Sequence, residues 1–246
     1  MTTGVGDIKT KLITVIERGE ADQAALVALL SDSDKATIGE PDHWAVKDQI
    51  AHLNFWRDRT LQRLIAVRDG AEPPGPAPDF QRENERNFAA QQYQQWSEII
   101  AKSDQLFRET RWVIPQLTDA QLTEPVKIGT DNEIRLSERI VSDFMEHPAE
   151  HLTQLYRERG ETARAEAQEG ATVDVISGLF GKNNTMYGYA IYNLGCFYAR
   201  NGESDRAIAA VGEALPLIPS LVEWSKQDTD LDSLRDLPTF QALYDK

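Results

Sequence analysis

The sequence predicts an all-α fold: four long helices gathered as a bundle, then a small helical segment. Three observations carry this. Apolar residues recur at helical spacing through four long stretches. Connectors bearing Gly, Pro and Asp divide those stretches. No run alternates apolar and polar residues over strand length, so essentially no sheet is expected.

The first helix is expected over about Asp7 to Leu30, with Ile8, Leu12, Val15, Ile16, Leu26, Leu29 and Leu30 on its apolar face. Ser31-Asp32-Ser33-Asp34 reads as a loop or helix end, and Pro41-Asp42 as the start signal for the next element. The second helix spans about Ala45 to Arg68, with a stripe of Val46, Ile50, Leu53, Thr60, Leu64 and Val67. Asp69-Gly70 ends it. The segment Pro73 to Pro78 is too proline-dense for helix or sheet and reads as a stiff connector. A third helical region covers about Phe80 to Leu117, followed by one turn capped by Thr118 and a loop from Thr123 to Glu133. The fourth helix runs from about Leu136 to Arg159 and stops at Gly160. Its stripe is Ile140, Val141, Phe144, Pro148, Leu152 and Leu155. Four helices with loops of this size suggest a four-helix bundle.

Composition narrows the function classes. The chain has 246 residues, 41% of them hydrophobic, enough for one large domain or a large and a small one. Its formal net charge is −14, which argues against nucleic acid and against anionic membrane surfaces. Cys196 is the only cysteine, so neither an internal disulfide framework nor a multi-cysteine metal site is available. The stretch Met1 to Glu20 has no apolar run and carries Asp7, Glu17 and Glu20, unlike a signal peptide. A cytoplasmic location is the expectation.

The composition shifts at Glu161 to Gly170, a small-residue, charged stretch read as a helical tail or linker. The domains expected are 1–165 for the bundle and 171–246 for the helical segment. Within the latter, Leu194-Gly195, Tyr198, Gly202, Ala207, Val211, Ala214 and Pro219 resemble a tetratricopeptide repeat. Gly195 and Ala207 let two helices approach while Tyr198 and Val211 fill the groove between them. Asp228-Thr229-Asp230-Leu231, Leu234-Arg235 and Pro238-Thr239-Phe240 resemble the acidic segment that often closes such repeats. One repeat cannot bury its own faces. It must pack on the bundle, on a helix at about Val173 to Phe180, or on a second chain. A protein partner or self-association through these helices is therefore one expectation, and a plain packing role the other.

The chain has four histidines. His147 and His151 lie four apart on the fourth helix, so they project from one face. Two imidazoles at that spacing can reach one ion, although Pro148 follows His147 where a HExxH zinc site has its glutamate. His52 sits at the edge of the second helix's apolar stripe. Three buried imidazoles need something to satisfy them, and a shared cation does so. Three histidines with an open fourth position is a catalytic metal arrangement. The proline is expected to kink the helix or mark a restart. His43 precedes the second helix and stays outside the site. Asp143 can orient an imidazole, though a solvated face is the plainer reading. Arg59 and Trp56 flank His52 and can line a pocket.

The stretch His43-Trp44-Ala45-Val46-Lys47-Asp48-Gln49-Ile50-Ala51-His52-Leu53 resembles the second helix of the DinB/YfiT-like superfamily, with its Trp-x-x-Lys-Asp-x-x-x-His-Leu signature. His147-Pro148-Ala149-Glu150-His151 matches the family's His-x-x-x-His pair. The resemblance covers about residues 5 to 160. It implies a DinB-like four-helix bundle with His52, His147 and His151 as metal ligands. The proline-rich connector, Asn54-Phe55-Trp56 and the glutamates flanking the pair are most similar to the ClbS/DfsB branch, which is linked to hydrolytic self-protection against reactive small molecules. Other relatives are thiol-dependent transferases and isomerases.

The resemblance implies a divalent metal that activates a water or thiol. Zinc or nickel is favoured over manganese or iron by ligand type. It also implies a small-molecule substrate, acted on by a metal-dependent hydrolase or a thiol-dependent transferase. No protein general base is evident. The alternative from another class is a non-catalytic helical scaffold that uses the repeat-like segment.

Overall fold

A computed structural model describes residues 7–77, 79–130 and 132–244. Pro78 of the connector and Asp131 of the loop after the third helical region lie outside the described residues, as do the ends of the two expected domains, 1–6 and 245–246. The chain divides into two compact units, residues 1–151 and 152–246.

In the first unit, α1 (Ile8–Val27) is capped by Asp7, whose carboxylate accepts from the Lys9 amide. The short α2 (Asp32–Ala36) starts at a Ser31–Asp34 capping box. Next comes α3 (Val46–Arg68), most of whose residues are buried. Leu53, Leu61 and Leu64 are buried on it, but so are Asp48, His52, Asn54, Arg57, Thr60 and Arg63. A helix that buries polar residues must give them partners. Asn54 donates to the Ile99 carbonyl and accepts from Ser103 on α5 (Trp96–Val113). Arg57 donates to Gln23 on α1 and lies over the Phe107 ring of α5 at 4.6 Å. These bonds hold α3 in register with α1 and α5.

The third helical region is not continuous. Between α4 (Phe80–Gln91) and α5 the chain turns at Gln92–Gln95. Gln95 serves as N-cap: its amide donates to the Glu98 carboxylate at 2.9 Å. Lys47 of α3 reaches across to the Gln92 carbonyl at 2.7 Å and takes up one of the acceptors the break exposes. The Pro-rich connector has no regular structure among its described residues, and its carbonyls are held by α3. Arg63 donates to Pro74 and Gly75, and Arg59 donates to Gly75. Arg59 thus serves the connector and not a pocket beside His52.

The single turn capped by Thr118 is α6 (Asp119–Thr123). The loop after it contains a small antiparallel hairpin, β1 (Val126–Ile128) with β2 (Asn132–Ile134), pairing Val126 with Ile134. Gly129 in the connecting turn has φ +65°, the left-handed region that favours glycine. Among the described residues this is the sheet content, so the fold is all-helical in class.

The fourth helix is also interrupted. α7 (Leu136–Val141) passes into a π turn, Ser142–Glu146, and continues as α8 (His147–Glu158). Pro148 explains the site of the irregularity. It has no N–H for the Phe144 carbonyl, which an α-helix would pair with residue 148. A side-chain carbon at Gly19 of α1 would come within 1.9 Å of that carbonyl oxygen. Glycine at position 19 thus lets α1 lie against that oxygen. The chain restarts as a helix at His147, and the histidine pair stays on one face.

In the second unit, the stretch read as a tail or linker is part of α9 (Thr162–Phe180). It packs on α10 (Thr185–Arg200), which also packs on α11 (Ser204–Ala214). Gly195 sits against Val211 and Ala210, where a side-chain carbon would come 2.9 Å from the valine. Two short helices follow, α12 (Leu221–Ser225) and α13 (Pro238–Gln241). Arg235 donates to the Lys226 and Asp228 carbonyls and so ties the acidic segment, Asp228 to Phe240, back to its own start. Among the described residues, no helix is long and apolar enough to cross a membrane.

Candidate metal centre

The site is assembled from α3 and α8. The sequence around His52 shows how α3 is placed. Asp48, in its first turn, accepts from the Ala45 amide at 3.0 Å and from the Gly39 amide at 2.8 Å. The carboxylate thus caps the helix and folds the preceding loop onto it. Gly39 leaves the space this needs, since a side-chain carbon there would lie 2.4 Å from the same carboxylate. Trp44 stacks on Phe88 of α4 (rings 5.8 Å apart, 8° between planes), and its ring centroid is 4.9 Å from that of His52. Trp44 therefore walls the site, Lys47 braces α3 against the break before α5, and Asp48 caps the helix that carries His52.

On α8, His147 and His151 present their rings one turn apart and meet His52. The His147 Nε2 lies 3.1 Å from His52 Nε2 and 3.0 Å from His151 Nε2. One ligating nitrogen from each residue lies within 4.8 Å of the others. His43 is exposed, and its backbone pairs with Glu40 outside the site.

Hydrogen bonding selects the form of these rings. The Gln49 side-chain nitrogen donates to the Trp44 carbonyl at 3.3 Å, which turns its Oε1 toward His151 Nδ1 at 3.1 Å. Oε1 only accepts, so His151 carries its proton on Nδ1 and presents a lone pair at Nε2. That lone pair points at His147 Nε2, which also faces His52 Nε2. One proton on the His147 nitrogen can bridge to only one of its two neighbours. A cation among the three nitrogens satisfies all the lone pairs together. The donor set thus fits a divalent metal held by neutral imidazoles.

Electrostatics keep the rings neutral. Burial lowers the His52 pKa to about 3 and the His151 pKa to about 4. His147 is lowered well below the usual histidine range, by burial first and then by the neighbouring His151, His52, Arg57 and Arg139. Arg57 is itself fully buried, and the loss of water lowers its pKa to about 9.

Asp143 is neither a partner of an imidazole nor a solvated group. It is buried, and it accepts from Thr60 of α3 and from Arg139 of α7. It clamps the π turn to α3. A cleft of about 210 Å³ opens beside the histidines, lined by His52, His147, Trp56, Phe80, Asn84 and Arg139, with Ser142 and Asp143. Trp56 therefore lines the site. Gln49, Asn84 and Arg139 were not legible as site residues in the sequence. Gln49 alone carried a weak signal, being one turn before His52 on the same helix.

In comparison with known proteins, residues 16–157 match the DinB superfamily. No curated protein and no solved structure matches the chain.

Proposed function

The chain belongs to the DinB superfamily, and from that premise we propose that His52, His147 and His151 hold one divalent cation in a metal-dependent enzyme acting on a small reactive molecule. The reaction is hydrolysis or transfer of a thiol. The observation that carries this reading is the convergence of three neutral imidazole nitrogens beside an open cleft. Zinc or nickel suits an all-imidazole donor set best. Such an ion, when bound, supplies Lewis-acid activation of a water or thiol.

The chain's own residues do the rest. Gln49 fixes the tautomer of His151, and Trp44 backs His52. Trp56 and Phe80 supply the apolar wall of the cleft, and the Arg139–Asp143 pair supplies polar groups to it. The Pro-rich connector and Asn54-Phe55-Trp56 support assignment to the ClbS/DfsB type, and hence hydrolysis over transfer.

The test is elemental analysis of untagged protein beside His52→Ala and the His147→Ala/His151→Ala pair. Stoichiometric metal in the wild type, lost from both variants, is expected. Equal metal content in wild type and variants refutes the site.

A second reading concerns residues 171–246. The close approach of Gly195 to Val211, and Tyr198 under the Arg206 guanidinium at 3.8 Å, support a tetratricopeptide-like hairpin of α10 and α11. On that reading the segment serves a protein partner. Deleting it would abolish partner capture while leaving metal content intact.

A further inference from the structure

A second and larger cavity, of about 720 Å³, is walled by the loop before α3, Trp44 included, and by α4. Its volume falls in the range of small-molecule sites. Its lining is chemically one-sided. Trp44, Phe80 and Phe88 provide aromatic surface, and Asp42 and Glu85 provide carboxylates. No Lys, Arg or His lines it among the described residues. Phe80 is 62% exposed, an unusual state for a large aromatic ring that helps to wall a cavity.

Asn84 adds an independent observation. Its Oδ1 is buried and has no hydrogen-bond partner. A buried acceptor without a donor is costly, so it calls for an N–H or O–H from a ligand. Asn84 and Phe80 line both this pocket and the histidine cleft, so the two spaces share a wall.

We propose that the pocket binds the cationic, apolar end of a small-molecule amine, placing the rest of that molecule in the histidine cleft. Aromatic faces attract an ammonium, the two carboxylates reinforce that attraction, and Asn84 Oδ1 accepts one of its N–H groups. The same logic orients the substrate. The cleft holds the Arg139–Asp143 ion pair, whose charges offset each other, and, on the reading above, a metal cation that repels an ammonium. The charged end therefore stays in the aromatic pocket and the uncharged end enters the cleft. This substrate class rests on that reading for its reaction but not for its binding.

The experiment compares 2-phenylethylammonium, 2-phenylethanol and 3-phenylpropionate by calorimetry on the full chain, once stripped with chelator and once loaded with zinc. The ammonium is expected to bind about tenfold tighter than the carboxylate in both preparations. The Asp42→Asn/Glu85→Gln pair, both at exposed positions, should weaken the ammonium about threefold to tenfold and leave the alcohol unchanged. Trp44→Leu should weaken all three. Equal or tighter binding of the carboxylate, or binding of none of the three, overturns the proposal. Zinc uptake without amine preference removes the pocket alone, and amine preference without zinc uptake removes the metal centre alone.

Discussion

Gln49 Oε1 lies 3.1 Å from His151 Nδ1, and this one contact across two helices decides which nitrogen of His151 faces the other histidines. Partners of this kind orient a ligating ring and raise its basicity. Gln49→Leu should therefore lower metal affinity about tenfold to a hundredfold without unfolding the chain. Gln49→Glu, which keeps the acceptor, should restore much of it. A chelator competition on both variants is the measurement. An unchanged affinity in Gln49→Leu would show that the contact orients nothing.

The neutral histidines make the metal-free protein sensitive to acid. The unfolded chain takes up protons near pH 6.5, whereas folded His52 resists until about pH 3 and His151 until about pH 4. Between those limits the unfolded state binds more protons, so stability is fully present above pH 6.5 and is lost as the pH falls. His52 alone should cost on the order of 2 kcal/mol at pH 5. Urea midpoints of chelator-treated protein at pH 7 and pH 5 test this, with His52→Asn expected to reduce the difference, since His151 and His147 still contribute. A midpoint that holds steady between those values would contradict neutral, buried rings.

How much of this was legible in the sequence depended on whether the signal was periodic. His147 and His151 could be placed on one face because four-residue spacing has a fixed meaning in a helix. His52 joined them through the Trp-x-x-Lys-Asp spacing, and the helix caps and struts formed by Asp48 and Lys47 now explain why those residue types stand there. The break at Gln92–Gln95 was hidden because glutamine is a good helix former and an uncommon N-cap. The hairpin was hidden because three-residue strands are too short to alternate. Pro148 announced a lost hydrogen bond but not its remedy, since a π turn has no sequence pattern. Asn84 and Arg139 are two polar residues among many, and only the fold brings them to the cleft.

Glu169, on α9 in the second unit, is almost fully buried, and burial pushes its carboxyl up to about 7. The folded state therefore holds a proton that the unfolded state releases near pH 4.5. That contribution is fully present below pH 4.5 and is lost as the pH rises through 7. Glu169→Gln, neutral at every pH, should gain on the order of 3 kcal/mol over the wild type at pH 9 and little at pH 4.5. Denaturant midpoints at the two pH values decide it. A variant destabilised equally at both would show that the carboxylate is required in its charged form.

Gly19 and Phe144 make a close helix-to-backbone approach, and they link the proline of α8 to the packing of α1. Because residue 148 offers no N–H, the Phe144 carbonyl lacks the partner an α-helix would give it, and α1 approaches it where there is no side chain. Gly19→Ala would normally favour a helix by about 1 kcal/mol. Here the added carbon meets the carbonyl at 1.9 Å, well inside contact distance, and the obstacle is backbone. Relief requires α1 or the π turn to move, which should outweigh the propensity gain and cost about 2 kcal/mol or more in urea denaturation. Moving the π turn also moves His147, so the variant should bind metal more weakly. Gly19→Ala combined with Pro148→Ala should recover part of the stability, because the restored N–H draws the Phe144 carbonyl back into the helix. If the single variant is as stable as the wild type, the close approach of α1 to Phe144 is not what holds the turn in place.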